Sequence, residues 1–207
     1  MRRIDLTHTI TDNMPVFPGD LPVSLKQTVF IEEEGNNDHT LTSAMHVGTH
    51  LDAPLHMIAG GKRVDELSVE QFFGKGILID ARGKQTIDSA LVENVTIPKN
   101  ASVLIYTGFG EKFYEATYFE SSPEITQDFA EKMVEAKVRM VGMDTSSPEH
   151  NPPWTIHKTL LKHNILILEN LTNLDKLVGI ASFDVIALPS KVRADAAPVR
   201  VIATVSE

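Results

Sequence analysis

Three of the chain's eight histidines fall within eleven residues, His46-Val47-Gly48-Thr49-His50-Leu51-Asp52-Ala53-Pro54-Leu55-His56. The residues between them decide the shape of this stretch. Val47 and Thr49 are β-branched, Gly48 is a poor helix former and Pro54 lacks an amide donor, so the segment does not form a helix. The step from His46 to His50 matches the helical zinc motif H-E-x-x-H, but Val47 stands where that motif needs its glutamate base. In an extended chain, residues 46, 50, 52 and 56 share one side, because side chains alternate along a strand. Full extension would still separate His46 from His50 by about 13 Å, too far to share one ion through bonds of roughly 2 Å. The chain must bend, and Gly48 tolerates the backbone angles that a bend needs.

Bent in this way, His46, His50 and Asp52 offer two imidazoles and a carboxylate, the donor set of a catalytic divalent cation with one position open to water. Cysteine is absent, which removes disulfides, thiolate nucleophiles and Cys-ligated metals and leaves His, Asp and Glu as ligands. Zn2+ is expected, with Mn2+ as the alternative, since nitrogen and oxygen donors suit both. His56, beyond Pro54, is placed to pass a proton from just outside the ligands.

The rest of the sequence sets the frame. With 207 residues, 42% of them hydrophobic and 23% charged, the chain is long enough to bury about 70% of its unfolded surface. Nineteen basic against 28 acidic residues give a net charge of −9, which disfavours nucleic acid and anionic membrane as partners and leaves a small-molecule substrate. The apolar runs are four or five residues long, against the roughly 18 needed to span a bilayer. No apolar stretch of the kind found in export signals follows Arg2-Arg3, so a cytoplasmic protein is expected.

Alternating or β-branched runs predict strands at Arg3 to Thr7, Ser24 to Ile31, Thr40 to Met45, Gly76 to Ala81, Ser102 to Thr107, Val138 to Met143, Ile165 to Leu168, Phe183 to Leu188 and Val199 to Val205. A helix is expected after Thr126 as N-cap, another from Pro152-Pro153 to about His163, and short ones near Val69 to Phe73 and Ile87 to Glu93. No repeat or linker divides residues 1–207. The expected fold is α/β: one domain with a mixed sheet or partly closed barrel and a few outer helices.

The stretch from His46 to His56 resembles the signature of the metal-dependent cyclase family, His-x-Gly-Thr-His-x-Asp-x-Pro-x-His, at every fixed position. That family contains bacterial kynurenine formamidases and isatin hydrolases. Asp5-Leu6-Thr7-His8 and the segment Met14 to Asp20 resemble its opening segments. His157 through Glu169 to Pro189, and then Ala197-Pro198-Val199-Arg200, resemble its C-terminal half. The resemblance implies a swivelling β/β/α domain in homodimers or higher homo-oligomers. It implies a first metal on His46, His50 and Asp52, and a second held by Asp52 with His157 and Glu169. His56 then matches the acid/base residue, and Phe17 a loop residue that walls the substrate, often Trp in the family. The implied activity is arylformamidase, N-formylkynurenine to kynurenine and formate. Hydrolysis of a cyclic amide or imide such as isatin is the alternative, and a non-catalytic metal-binding module is a third reading.

The residues by themselves leave several of these positions open. His157 shares a helix face with Leu160 and Leu161, which suits a ligand and a packed core histidine equally. Glu169 ends a strand, and Phe17 between two prolines would either meet substrate or anchor its turn. His8, His39, His150 and His163 have no partner at ligand spacing. Asp144-Thr145-Ser146-Ser147-Pro148 is a polar loop that either lines the site or connects two elements.

Overall fold

The computed structural model describes residues 1–206. Its twelve strands are β1 Arg2–Asp5, β2 Ser24–Val29, β3 Asp38–Thr42, β4 His50–Asp52, β5 Phe73–Asp80, β6 Thr86–Ile87, β7 Ser102–Tyr106, β8 Glu124–Ile125, β9 Met140–Met143, β10 Leu166–Glu169, β11 Phe183–Pro189 and β12 Ala196–Val205. The helices are α1 Ile31–Glu34, α2 Gln127–Glu135 and α3 Thr155–Lys162. Strands β12, β11, β5, β7, β9, β10 and β4 are neighbours in that order, and β4 pairs back onto β12, which closes a seven-stranded barrel. β5, β7, β9 and β10 run parallel, and the remaining pairs are antiparallel. β1 adds to the far half of β12.

The parallel strands read as continuous apolar runs because both of their faces are covered. On β7, Leu104 and Tyr106 join one core cluster with Met140, Leu168 and Val201. Val103 and Ile105 join a second with Phe129 and Met133 of α2 and Leu160 of α3. The alternation along one strand thus separates the two apolar layers, and the outer one is sealed by the apolar faces of two helices.

Most predicted strands appear within a residue or two of their expected ends, β5 and β12 begin three residues before theirs, and several other segments differ. The strand expected at Thr40 to Met45 is β3, Asp38–Thr42, paired in a hairpin with β2 outside the barrel. β2 stops at Val29, and α1 follows it. Thr126 does precede α2, but its hydroxyl donates to the Ile87 carbonyl instead of capping the helix. Helix α3 begins at Thr155, after the two prolines, because Trp154 at φ 59° lies outside helical space. The short helices near Val69 and Ser89 are 3₁₀ turns, Val69–Phe72 and Ser89–Val92. Among the described residues no helix is long and apolar enough to cross a membrane.

Candidate metal centre

Gly48 takes φ +56°, the left-handed angle that the sequence required of the bend. Its carbonyl accepts a hydrogen bond from His50 Nδ1 at 2.9 Å and another from Asn170 Nδ2 at 3.0 Å. The chain then enters β4, where the register sets His50 opposite Glu169 on β10. His50 Nε2 lies 3.2 Å from Glu169 Oε2 and 3.6 Å from Asp52 Oδ1. His46, on the other side of the bend, brings Nδ1 to 3.0 Å from Asp52 Oδ1. From α3, His157 brings Nε2 to 3.4 Å from Glu169 Oε1.

The other nitrogen of each imidazole is tied down. His46 Nε2 faces Asp195 Oδ2 at 3.0 Å, His50 Nδ1 has the Gly48 carbonyl, and His157 Nδ1 faces Glu149 Oε1 at 3.2 Å. Acceptors at the outer nitrogens leave the inner nitrogens facing the centre, where they present lone pairs once deprotonated. His56 ends the 3₁₀ turn Pro54–His56 and meets the same Asp195 oxygen through Nδ1 at 3.2 Å.

These donors form two overlapping sets, His46 with Asp52 and His56, and His50 with Asp52 and Glu169, each within 4.8 Å. The two sets share Asp52 but differ from the expected ones: His46 and His50 fall in different sets, His56 joins His46, and His157 belongs to neither and meets the cluster through Glu169 at 3.4 Å. Asp52 and Glu169 are 1% and 6% exposed, and both Asp52 oxygens and His50 Nε2 lack a hydrogen-bond partner. Two buried carboxylates side by side require positive charge between them. Protons on the imidazoles are one source: burial opposes them, yet the Asp52 and Asp195 carboxylates raise His46 to about 10, and Glu149 and Glu169 raise His157 to about 9. Burial works against ionised Asp52 too, but the adjoining His46 and His50 hold its carboxyl well below the usual carboxylate range. A divalent cation is the other source, and inward nitrogens with unpaired carboxylate oxygens fit one.

A cavity of about 210 Å³ opens over these residues, walled by Val16, Phe17, Phe113, Phe119 and Trp154. Phe17 is half-exposed, with its ring edge-on to Phe119 at 5.9 Å. His8 lines a separate cavity with Asp5 and Arg200. Its ring stacks on Phe113 at 4.0 Å, and burial lowers it to about 4.

Four supporting residues were not singled out from sequence: Asp195, Glu149, Asn170 and Tyr118. Tyr118 donates to Asn170 Oδ1 at 2.8 Å, which steadies the amide that holds Gly48. Asp195 lies 149 residues from His46, and its only local signal is a lone acid in an alanine-rich run just before the Ala197-Pro198 segment. In the polar loop, Asp144 is structural and accepts from Thr107 N at 2.9 Å and Gly108 N at 2.8 Å, whereas Ser146 and Ser147 line the cavity.

The profile of the cyclase family, described as "Putative cyclase", matches residues 4–150. The chain belongs to the cyclase family. Within it, a kynurenine formamidase of Bacillus cereus is 33% identical over 203 residues, spanning 96% of this chain and 95% of the relative. One from Bacillus anthracis is 32% identical with the same coverage. Among solved cyclase-like structures, isatin hydrolase A from Labrenzia aggregata superposes with a TM-score of 0.89 at 27% identity, covering 100% of this chain and 94% of that one. A structure described as a potential metal-dependent hydrolase with cyclase activity gives 0.80 at 27% identity, covering 100% and 98%.

Proposed function

We propose that the chain is a metal-dependent amidohydrolase that cleaves the formamide of N-formylkynurenine to kynurenine and formate. The observation that carries this reading is the set of three histidines whose outer nitrogens are anchored while their inner nitrogens face two buried carboxylates. His46, His50, Asp52, His157 and Glu169 would hold one or two cations, with Zn2+ favoured over Mn2+. When bound, such an ion lowers the pKa of water toward about 7 and polarises a carbonyl oxygen. The aromatic walls offer faces for an aryl ring, Phe17 among them. Water oxygen bonds to the formyl carbon, the C–N bond breaks, and His56 delivers the proton that the departing aniline nitrogen needs. Asp195, through His56 Nδ1, keeps the other imidazole nitrogen free for that transfer. The kynurenine formamidase relatives, matched over 95% of their length, support the substrate, and a homo-oligomer is the assembly that the sequence resemblance implies.

Ring opening of an isatin-type cyclic amide is the second reading, supported by the superposition on isatin hydrolase. The test is turnover of N-formylkynurenine and of isatin by protein loaded with Zn2+ or Mn2+, before and after chelation. Metal-dependent release of formate is expected, lost on chelation and restored by the ion. Turnover of isatin alone would favour the second reading, and binding of metal without turnover of either would leave a non-catalytic module.

A further inference from the structure

Glycine permits the left-handed angle at residue 48 but does not hold it there, because a residue without a Cβ moves among backbone wells at little cost. The Gly48 carbonyl is nonetheless what ties down His50 Nδ1, at 2.9 Å. That oxygen has a second lone pair, and Asn170 Nδ2, 122 residues along the chain, fills it at 3.0 Å. Asn170 is itself fixed from three sides. Its amide N donates to the Thr145 carbonyl at 2.9 Å, its carbonyl accepts from Thr49 Oγ1 at 2.6 Å, and its Oδ1 accepts from the Tyr118 hydroxyl at 2.8 Å. Tyr118 is fully buried, and burial raises its pKa so that the hydroxyl stays a donor. A donor at Oδ1 sets which end of the amide faces Gly48, since the flipped amide would place oxygen against oxygen. Asn170 also follows Glu169 directly and takes φ 55°, a left-handed angle that asparagine tolerates. In a continuing strand its side chain would point away from that of Glu169, whereas here both line the cavity.

We infer that Asn170 and Tyr118 are positioning residues: Tyr118 orients the Asn170 amide, the amide locks the Gly48 carbonyl, and the carbonyl holds the His50 ring with Nε2 toward Glu169 and the cation. This rests on the reading of the cluster as a metal centre, and the role requires neither residue to touch the ion. The backbone bonds of Asn170 to Thr145 and Thr49 remain when its side chain is removed, so the share of the amide can be measured separately.

Asn170→Gly removes the amide and accepts φ 55° without strain, and Tyr118→Phe removes the hydroxyl but keeps the ring. Zinc affinity is expected to fall by about 10- to 100-fold in the first, the range for groups that orient a ligand from behind, and by about 2- to 10-fold in the second, the range for one hydrogen bond. Because Tyr118 acts through Asn170, the double variant should bind Zn2+ within about twofold of Asn170→Gly alone. The visible absorption bands of Co2+-loaded protein, which follow ligand geometry, should shift in both single variants. Gly76→Ala, on the other side of the barrel, is the control for lost stability and should change neither readout. In chelator-treated protein, NMR should show the His50 Nδ1 proton exchanging with water faster in both single variants than in the wild type. Unchanged zinc affinity and Co2+ bands, with only a lower melting temperature, would mark the pair as structural and overturn the assignment. Losses that multiply in the double variant would overturn the relay from Tyr118 to Asn170. Wild-type protein that binds no Zn2+ would defeat the metal-centre reading, and the His50 proton would then decide the positioning role by itself.

Discussion

One carboxylate oxygen, Asp195 Oδ2, meets both His46 Nε2 at 3.0 Å and His56 Nδ1 at 3.2 Å. The two imidazoles are therefore oriented by one acceptor, but they need not do the same work. Both line the cavity, but only His46 has its remaining nitrogen in an ion pair with buried Asp52, at 3.0 Å. His56→Ala should leave metal content near that of the wild type while lowering kcat by about 100-fold or more, the usual effect of losing a general acid. Metal analysis alongside steady-state kinetics checks this, and loss of metal in step with kcat would instead make His56 a ligand with His46 and Asp52. The distinction was only partly legible in the sequence. The five residues from Gly48 to Asp52 encode their own bend and facing, because glycine and β-branched residues act locally. Asp195 and Glu149 act across the fold, and nothing in their immediate neighbours marks a carboxylate that orients a distant imidazole.

Strand β4 is only three residues long, yet it closes the barrel between β10 and β12 and carries two of the candidate ligands. The barrel's strands were legible because period-two alternation and β-branched runs are local, whereas closure depends on β4 pairing with both neighbours, and three residues give no periodicity to read. Helix α3 was misplaced at its start for a related reason: proline suits a first turn, but the left-handed Trp154 that ends the preceding turn is a tertiary choice. On the opposite side of the ring the sheet is tuned by a small residue. Gly76 on β5 pairs with Phe183 on β11, and a Cβ built on it would lie 2.0 Å from the Phe183 ring. Gly76→Ala should therefore destabilise the fold by about 1–3 kcal/mol through overpacking. Zinc affinity should not change, because two strands on one side and three on the other separate β5 from β4. Chemical denaturation together with zinc titration checks both halves of this expectation.

At the scale of the molecule, the centre concentrates carboxylates in a chain already at −9, so stability and metal binding are both linked to protons. Against the cost of burial, the neighbouring carboxylates raise His46 to about 10 and His157 to about 9, well above the ordinary imidazole value of 6.5. A base whose folded pKa is raised contributes stability that is complete below 6.5 and is lost as pH climbs through about 9 and 10. A cation does the reverse, since it needs the inner nitrogens deprotonated and must expel those protons on binding. Between pH 6.5 and 9, chelator-treated protein should therefore lose melting temperature while zinc-loaded protein holds its own or gains, so the gap between them widens with pH. Calorimetry at fixed free zinc measures that gap. Titrations of zinc at pH 7.5 in buffers of different ionisation enthalpy should show about one to two protons released per chain. A gap that stays constant across the window, or no proton release, would mean that these imidazoles are already neutral and that the charge between Asp52 and Glu169 is balanced by something other than His46 and His157.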